Sequence, residues 1–207
     1  MLYDTSTALQ QADLDNADSS HPALQKLAAT LNFYDGHAHH EDVHIFSLLE
    51  PHARHFVAEM EAEHVIDHAL GDNLRALIAA FDTAATKEAK QEIGAEVCRA
   101  FNEFTVFNLT HMQKEETAVN ELLWKHYSDI DIIQANRRLV ASLRPEEAKE
   151  SAYWLMRSAS DNELARLLTG MKHGAPAEVF DEMYSIAREV LPPHRFEALQ
   201  ARVSEDR

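Results

Sequence analysis

An all-α fold is predicted for this chain, on three observations. Gly and Pro, the residues that punctuate strands and turns, number only 5 and 6 in 207 residues. Apolar residues recur at steps of three and four over long stretches, as in Leu24, Leu27, Leu31, Tyr34, Ala38, Ile45 and Leu48. No stretch shows the two-residue alternation of a half-buried strand. The expected architecture is an up-down four-helix bundle over residues 1–128, its first helix short, followed by a helical C-terminal extension over 129–207.

Residues 3–14 read as a short helix that ends in the polar stretch 13–20. A long helix follows, with Ser20 as its cap and Pro22 in its first turn. Glu41 falls in the middle of that helix's apolar face. Pro51 marks a break. A third helix is expected over 53–81, with Met60, His64, Gly71, Leu74, Ile78 and Phe81 near one stripe, and a turn at Asp82 and Thr83. A fourth runs to about His126 and carries Phe101, Phe104, His111, Glu115, Ala118 and Leu122 on one face; its start carries no clear signal, and Gly94 marks an irregularity there. Further on, Arg144-Pro145-Glu146-Glu147, the capping-box pattern Ser160-Asp161-Asn162-Glu163 and Ala175-Pro176 read as helix starts.

Composition narrows the function. A net charge of −16 argues against nucleic acid or an anionic membrane surface as partner, since both want a basic face. No run of 18 or more apolar residues is present, and the first residues lack the basic and apolar regions of a secretory leader. Cys98 is the lone cysteine, so no intrachain disulfide can form. These features fit a cytoplasmic protein. The unusual number is 13 His, several of them crowded between His37 and His68.

Two of these histidines open H-x-x-x-E pairs, His37 with Glu41 and His111 with Glu115, and both members are displaced by the same 74 residues. Four residues is about one helical turn, so each pair projects from one side of one helix. A single such pair on a helix is usually a surface ion pair. Here both Glu residues sit on apolar stripes, where a carboxylate is costly to bury unless it is paired or binds metal. A hairpin turning at Pro51 brings Glu41 beside His64, because the midpoint of those two positions is 52.5. His68 lies one turn after His64 but matches His111 less well. Mixed imidazole and carboxylate donors suit iron, manganese or zinc, and bundle cores host dinuclear sites built from facing helices. His39, His52, His55 and His126 read as solvated, and Phe101, Phe104 and Phe107 as core packing.

The stretches HAHHEDVHIFSLLE (37–50), AEH (62–64) and HMQKEE (111–116) together resemble the hemerythrin-like, or HHE cation-binding, domain. The resemblance covers roughly residues 1–128. It implies a four-helix bundle holding a non-haem di-iron centre, with zinc or manganese as substitutes. His37, His64, His68 and His111 would be terminal ligands, and Glu41 and Glu115 bridges, with Glu116 the alternate carboxylate. It also implies binding of dioxygen, or sensing of oxygen, nitric oxide or iron, rather than turnover of a substrate. The expected partner is therefore a small ligand such as dioxygen, with self-association left open. One departure stands out: the family's first helix carries a His, and this sequence has none before His21. An upstream extension supplying that turn is the expectation; without it one metal position loses a ligand.

Two other readings remain at this point. His40-Glu41-Asp42-Val43-His44 is literally H-E-x-x-H, the pattern of a zinc metallohydrolase, in which Glu41 would be the general base. A third reading is a metal-free helical interaction module, which predicts no metal in protein grown with iron and little loss of stability on replacing both His37 and His111.

Overall fold

The computed structural model describes residues 1–205, and every regular element among them is helical. The order is α1 (Leu2–Gln11), α2 (Ala17–Glu41), a π-helical turn (Asp42–Phe46), α3 (Ser47–Thr83), α4 (Lys87–Lys114), a second π-helical turn (Glu115–Val119), α5 (Asn120–His126), α6 (Asp129–Ser142), α7 (Pro145–Ser158), α8 (Asp161–Gly174), α9 (Ala177–Val190) and α10 (Pro193–Glu205). The chain forms two compact units, Met1–Ala141 and Ser142–Arg207. Sequence placed this boundary after residue 128. The units divide later because α6 packs inward: Ala135 is buried, and Ile132 lies against the cluster around Phe46 and Leu49.

The first unit is an up-down bundle. Within α3 the backbone leaves helical geometry at Ala53 (φ −145°, ψ 44°), two residues after Pro51, and the chain reverses there. Pairings across this hairpin run antiparallel: Asp42 meets His64, Asp35 meets His68 and Asn32 meets Arg75. The next reversal occupies only residues 84–86, and α3 and α4 then pair as Asp67 with Asn108, His64 with His111 and Glu59 with Lys114. Helix α1 lies on α2, where the buried Thr5 and Thr30 hydroxyls share a 2.7 Å hydrogen bond.

Local signals explain the boundaries. Asn16, not Ser20, caps α2: its Oδ1 accepts from the Asp18 amide at 3.0 Å, and Pro22 consequently sits inside the helix. Asn is as good a cap as Ser, and starting four residues earlier lets the small Ser20 side chain be buried. Thr86 caps α4, its hydroxyl accepting from the Ala89 amide at 3.1 Å, a start that sequence reading left unmarked. Gly94 lies within regular α4 rather than at an irregularity. It is needed for a close approach, since a Cβ there would stand 2.7 Å from Leu14 Cδ1 and 2.8 Å from Leu14 Cβ.

Two apolar clusters fill the first unit. One gathers Leu27, Leu31, Tyr34, Leu74, Phe101 and Phe104 with the face of α1; the other gathers Phe46, Leu49, Val57, Met60, Val119 and Leu123. On each of α2, α3 and α4 a band of mostly polar residues lies between the clusters, namely 37–41, 63–64 and 111–115, broken by Ala38 and Met112. The π turns lie just beyond this band. Each adds one residue to its helix and so shifts the inward stripe by one position. Hence Phe46 and Leu49 are buried where the stripe predicted Ile45 and Leu48, and Val119 and Leu123 where it predicted Ala118 and Leu122.

The second unit is built from α7 to α10 around Met156, Leu164, Leu168, Ala187 and Leu199. The anticipated capping box is present: the Ser160 amide donates to Glu163 Oε2 at 2.8 Å, and Ser160 Oγ accepts from the Glu163 amide at 3.4 Å. Arg195 donates to Asp161 at 2.7 Å and to the Ala159 carbonyl at 2.9 Å, tying α10 to the start of α8.

Two glycines of the bundle should respond oppositely to alanine. Gly36 in α2 has nothing within 4 Å of a new Cβ, so Gly36→Ala should stabilise by up to about 1 kcal/mol through helix propensity. Gly94→Ala gains the same propensity but drives a methyl into Leu14, and overpacking costs about 1–3 kcal/mol. Urea unfolding should give a higher midpoint for the first and a lower one for the second.

Candidate metal centre

The polar band holds a compact ligand cluster. Glu41 at the end of α2, His64 on α3, His111 on α4 and Glu115 at the start of the second π turn each offer one donor atom, all within 4.8 Å of one another. His64 Nε2 lies 3.0 Å from His111 Nε2 and 3.5 Å from Glu41 Oε2, and His111 Nε2 lies 2.9 Å from Glu115 Oε1. His37 joins at one side, its Nε2 3.1 Å from Glu41 Oε1.

The outer nitrogens of the central histidines are already engaged. His64 Nδ1 lies 2.8 Å from Asp42 Oδ1, and His111 Nδ1 lies 2.8 Å from Glu63 Oε2. Glu63 is held in turn by Lys114, which also reaches Glu59 at 2.8 Å. A carboxylate only accepts, so each Nδ1 carries the proton and donates it. In the neutral imidazole the Nε2 is then a bare lone pair. Two such lone pairs therefore face each other and two carboxylates at hydrogen-bonding distance, with no donor between them.

That arrangement fits a cation. Among the described residues, His37 Nε2, Glu41 Oε2 and Glu115 Oε1 are buried atoms without a hydrogen bond, although each lies close to another member of the cluster. They converge without being aligned as donor and acceptor. In the metal-free state a proton must stand in. Burial lowers the His111 pKa, but the adjacent Glu115 carboxylate and the hydrogen bond His111 donates to Glu63 outweigh it and push the group to about 9. Burial pushes Glu41 upward against the pull of His64 and His37. Glu115 is desolvated as well, yet His111 holds it below the usual carboxylate range.

Each histidine of the cluster is backed by a phenylalanine ring. Phe46 stacks on His64 (centroids 5.5 Å, planes 21°), Phe33 on His37 (6.5 Å, 16°) and Phe107 on His111 (6.3 Å, 9°). Phe33 and Phe107 stand four residues before their histidines, so the repeated unit is F-x-x-x-H-x-x-x-E. The sequence carried that signal at the same 74-residue displacement, and reading Phe107 as core packing first, and as the wall of a site only second, passed over the repeat. Asp42 and Glu63, which orient the central imidazoles, had no such signal, because acidic residues are common on helix surfaces.

The remaining expected ligands lie elsewhere. His68 is exposed and lies 3.0 Å from Asp35, which also pairs with Arg75. Glu116 is exposed in the π turn and outside the cluster. Helix α1 contributes no histidine, and His21 lies 2.9 Å from Gln25, about 24 Å along α2 from His37. The H-E-x-x-H residues separate: Glu41 enters the cluster, while His40 and His44 lie against each other with ring centroids 6.3 Å apart.

Fold and site together describe a helical-bundle protein with a candidate His/Glu cation site. A family model described as the hemerythrin HHE cation binding domain matches residues 4–123, from α1 into α5. The chain belongs to this family. No curated protein and no solved structure matches it.

The raised pKa of His111 fixes a pH dependence for the metal-free protein. Its folded value of about 9 lies above the ordinary 6.5, so the stabilisation it contributes is full below about pH 6.5 and is lost as pH rises through about 9. Thermal denaturation of metal-free protein should show that loss between these limits, and His111→Gln should flatten it.

Proposed function

We propose that this protein holds a non-haem iron centre, dinuclear when fully loaded, and uses it to bind or sense a diatomic ligand such as dioxygen or nitric oxide. The observation that carries this reading is the convergence of imidazole nitrogens and carboxylate oxygens within 4.8 Å, inside a chain of the HHE cation-binding family. His64 and His111, with Glu41 and Glu115, would hold one metal. His37, sharing the same two carboxylates, would hold the other. Zinc and manganese accept the same donors and would compete for them.

Iron bound here would supply a redox-active centre with coordination positions open to a small ligand. The protein supplies everything else. Asp42 and Glu63 keep both imidazoles in the tautomer that presents Nε2. Phe33, Phe46 and Phe107 restrict water beside the three histidines, and a dry, shaped cavity limits side reactions. The His37 side chain is 37% exposed, against 5% for His64 and 6% for His111, so the His37 side is where a ligand approaches.

Anaerobic reconstitution of metal-free protein with ferrous iron, followed by oxygen, tests this directly. The expected result is two irons per chain and a reversible change in near-ultraviolet and visible absorption. A chain that takes up no metal would sink the proposal. Uptake at pH 7 should also release protons, because His111 must lose its own to bind.

Variants separate the roles. Glu41→Gln and His111→Gln should abolish tight binding, whereas His68→Gln should leave the stoichiometry unchanged. Glu63→Gln should weaken affinity by roughly 10–100-fold, the usual effect of losing a partner that orients a ligand. Metal titration against a chelator of known affinity reads all four.

A further inference from the structure

Helix α6 has two apolar faces, and the bundle uses only one. Ile132, Ala135 and Leu139 face inward, with Ala135 buried and Ile132 packed on the Phe46 cluster. On the opposite side Ile130, Ile133 and Val140 are 67%, 52% and 53% exposed. With Arg137 they follow steps of three, four and three residues, which is one continuous helical stripe. A surface helix that belonged only to its own bundle would be polar on this side.

The charges on α6 indicate what covers the stripe. Asp129 and Asp131 lie in its first turn, and Arg137 and Arg138 lie near its other end. Two acids and two bases leave the helix neutral in a chain of net charge −16. Asp131 accepts from the Ser128 hydroxyl and amide at 2.6 and 3.1 Å, while neither arginine takes part in an ion pair among the described residues. Such a helix is complementary to its own reverse.

We propose that a second copy of this chain docks on this stripe, α6 against α6, antiparallel about a two-fold axis at the level of Ala135. This register sets Ile130 of each copy beside Val140 of the other, and Ile133 beside Arg137, whose aliphatic stem covers it. Arg137 of each copy approaches Asp129 of the other, the two charged residues that border the stripe. Parallel pairing would set arginine against arginine. The two-fold arrangement is closed, so association stops at the dimer. Three large side chains per copy cover far less than the roughly 800 Å² per partner of a standard interface. The dimer is therefore weak, with a dissociation constant of about 10–100 µM.

Sedimentation equilibrium of the full chain tests this. The mass should rise from 23.4 kDa towards twice that value as concentration passes from about 1 to 300 µM, a range that brackets the expected constant. Ile133→Asp should keep it at 23.4 kDa with an unchanged melting temperature. Asp129→Lys and the double variant Arg137→Glu, Arg138→Glu should each remain monomeric alone and associate when mixed. This complementation gives the answer even if Ile133→Asp fails to fold. A chain that stays monomeric throughout overturns the proposal. So does association that Ile133→Asp leaves unchanged, or a monomer that Ile133→Asp destabilises, since residues of the same chain would then cover the stripe.

Discussion

The first unit is organised around four acceptors that face one another inside a bundle. Glu41, His64, His111 and Glu115 bring donor atoms within 4.8 Å, and in their neutral and ionised forms none has a proton to share. Such a group is held together by a cation or, failing that, by protons on the imidazoles. The upward push on His111 is the metal-free expression of the same demand. The surroundings answer it on both sides. Asp42 and Glu63 fix the outer nitrogens, and Lys114 offsets the charge of Glu63. The apolar clusters to either side keep the interior dry, which strengthens every charge interaction within it.

The π turns link this site to the packing. One follows Glu41 directly and the other begins at Glu115. A regular helix carrying His and Glu one turn apart would continue its inward stripe through Ile45 and Leu48, or through Ala118 and Leu122. The added residue moves burial to Phe46 and Leu49, and to Val119 and Leu123. This allows an inward-facing carboxylate to be followed by a well-filled core. It also delivers Phe46 onto the face of His64. Such wide turns are frequent at functional sites, and here the reason is geometric.

Much of this was legible in the sequence because it rests on helical periodicity. The helices, the break near Pro51, the pairing of Glu41 with His64 and the repeated H-x-x-x-E units all follow from spacing. What escaped was either a shift of phase or a matter of side-chain direction. No local residue preference announces a π turn, so the stripe was extended one residue out of register. His68 shares a helix with His64 and lies one turn away, so spacing alone cannot tell them apart. Asp35 and Arg75, distant in sequence, draw it outward. Its poorer match to His111 was the one sign available, since a hairpin joining them would turn near residue 89.5, whereas the chain reverses at 84–86. The α2 start moved from Ser20 to Asn16 because two residues of equal capping strength compete there, and burial of Ser20 decides between them.

The outward turn of His68 makes the two proposed metal positions unequal. The position between His64 and His111 has two buried imidazoles, each oriented by a carboxylate. The position at His37 has one, on a side chain that is partly exposed, and α1 adds no histidine to it. Both proposed positions would share the same two carboxylates, so their occupancies would be coupled through Glu41 and Glu115. The first position should therefore fill first and hold its metal more tightly. The proposed second position would have fewer protein donors, which would leave it open to an exogenous ligand. Exchange of small ligands and loss of metal would then both occur at the His37 side, while the His64 and His111 side keeps the helices together.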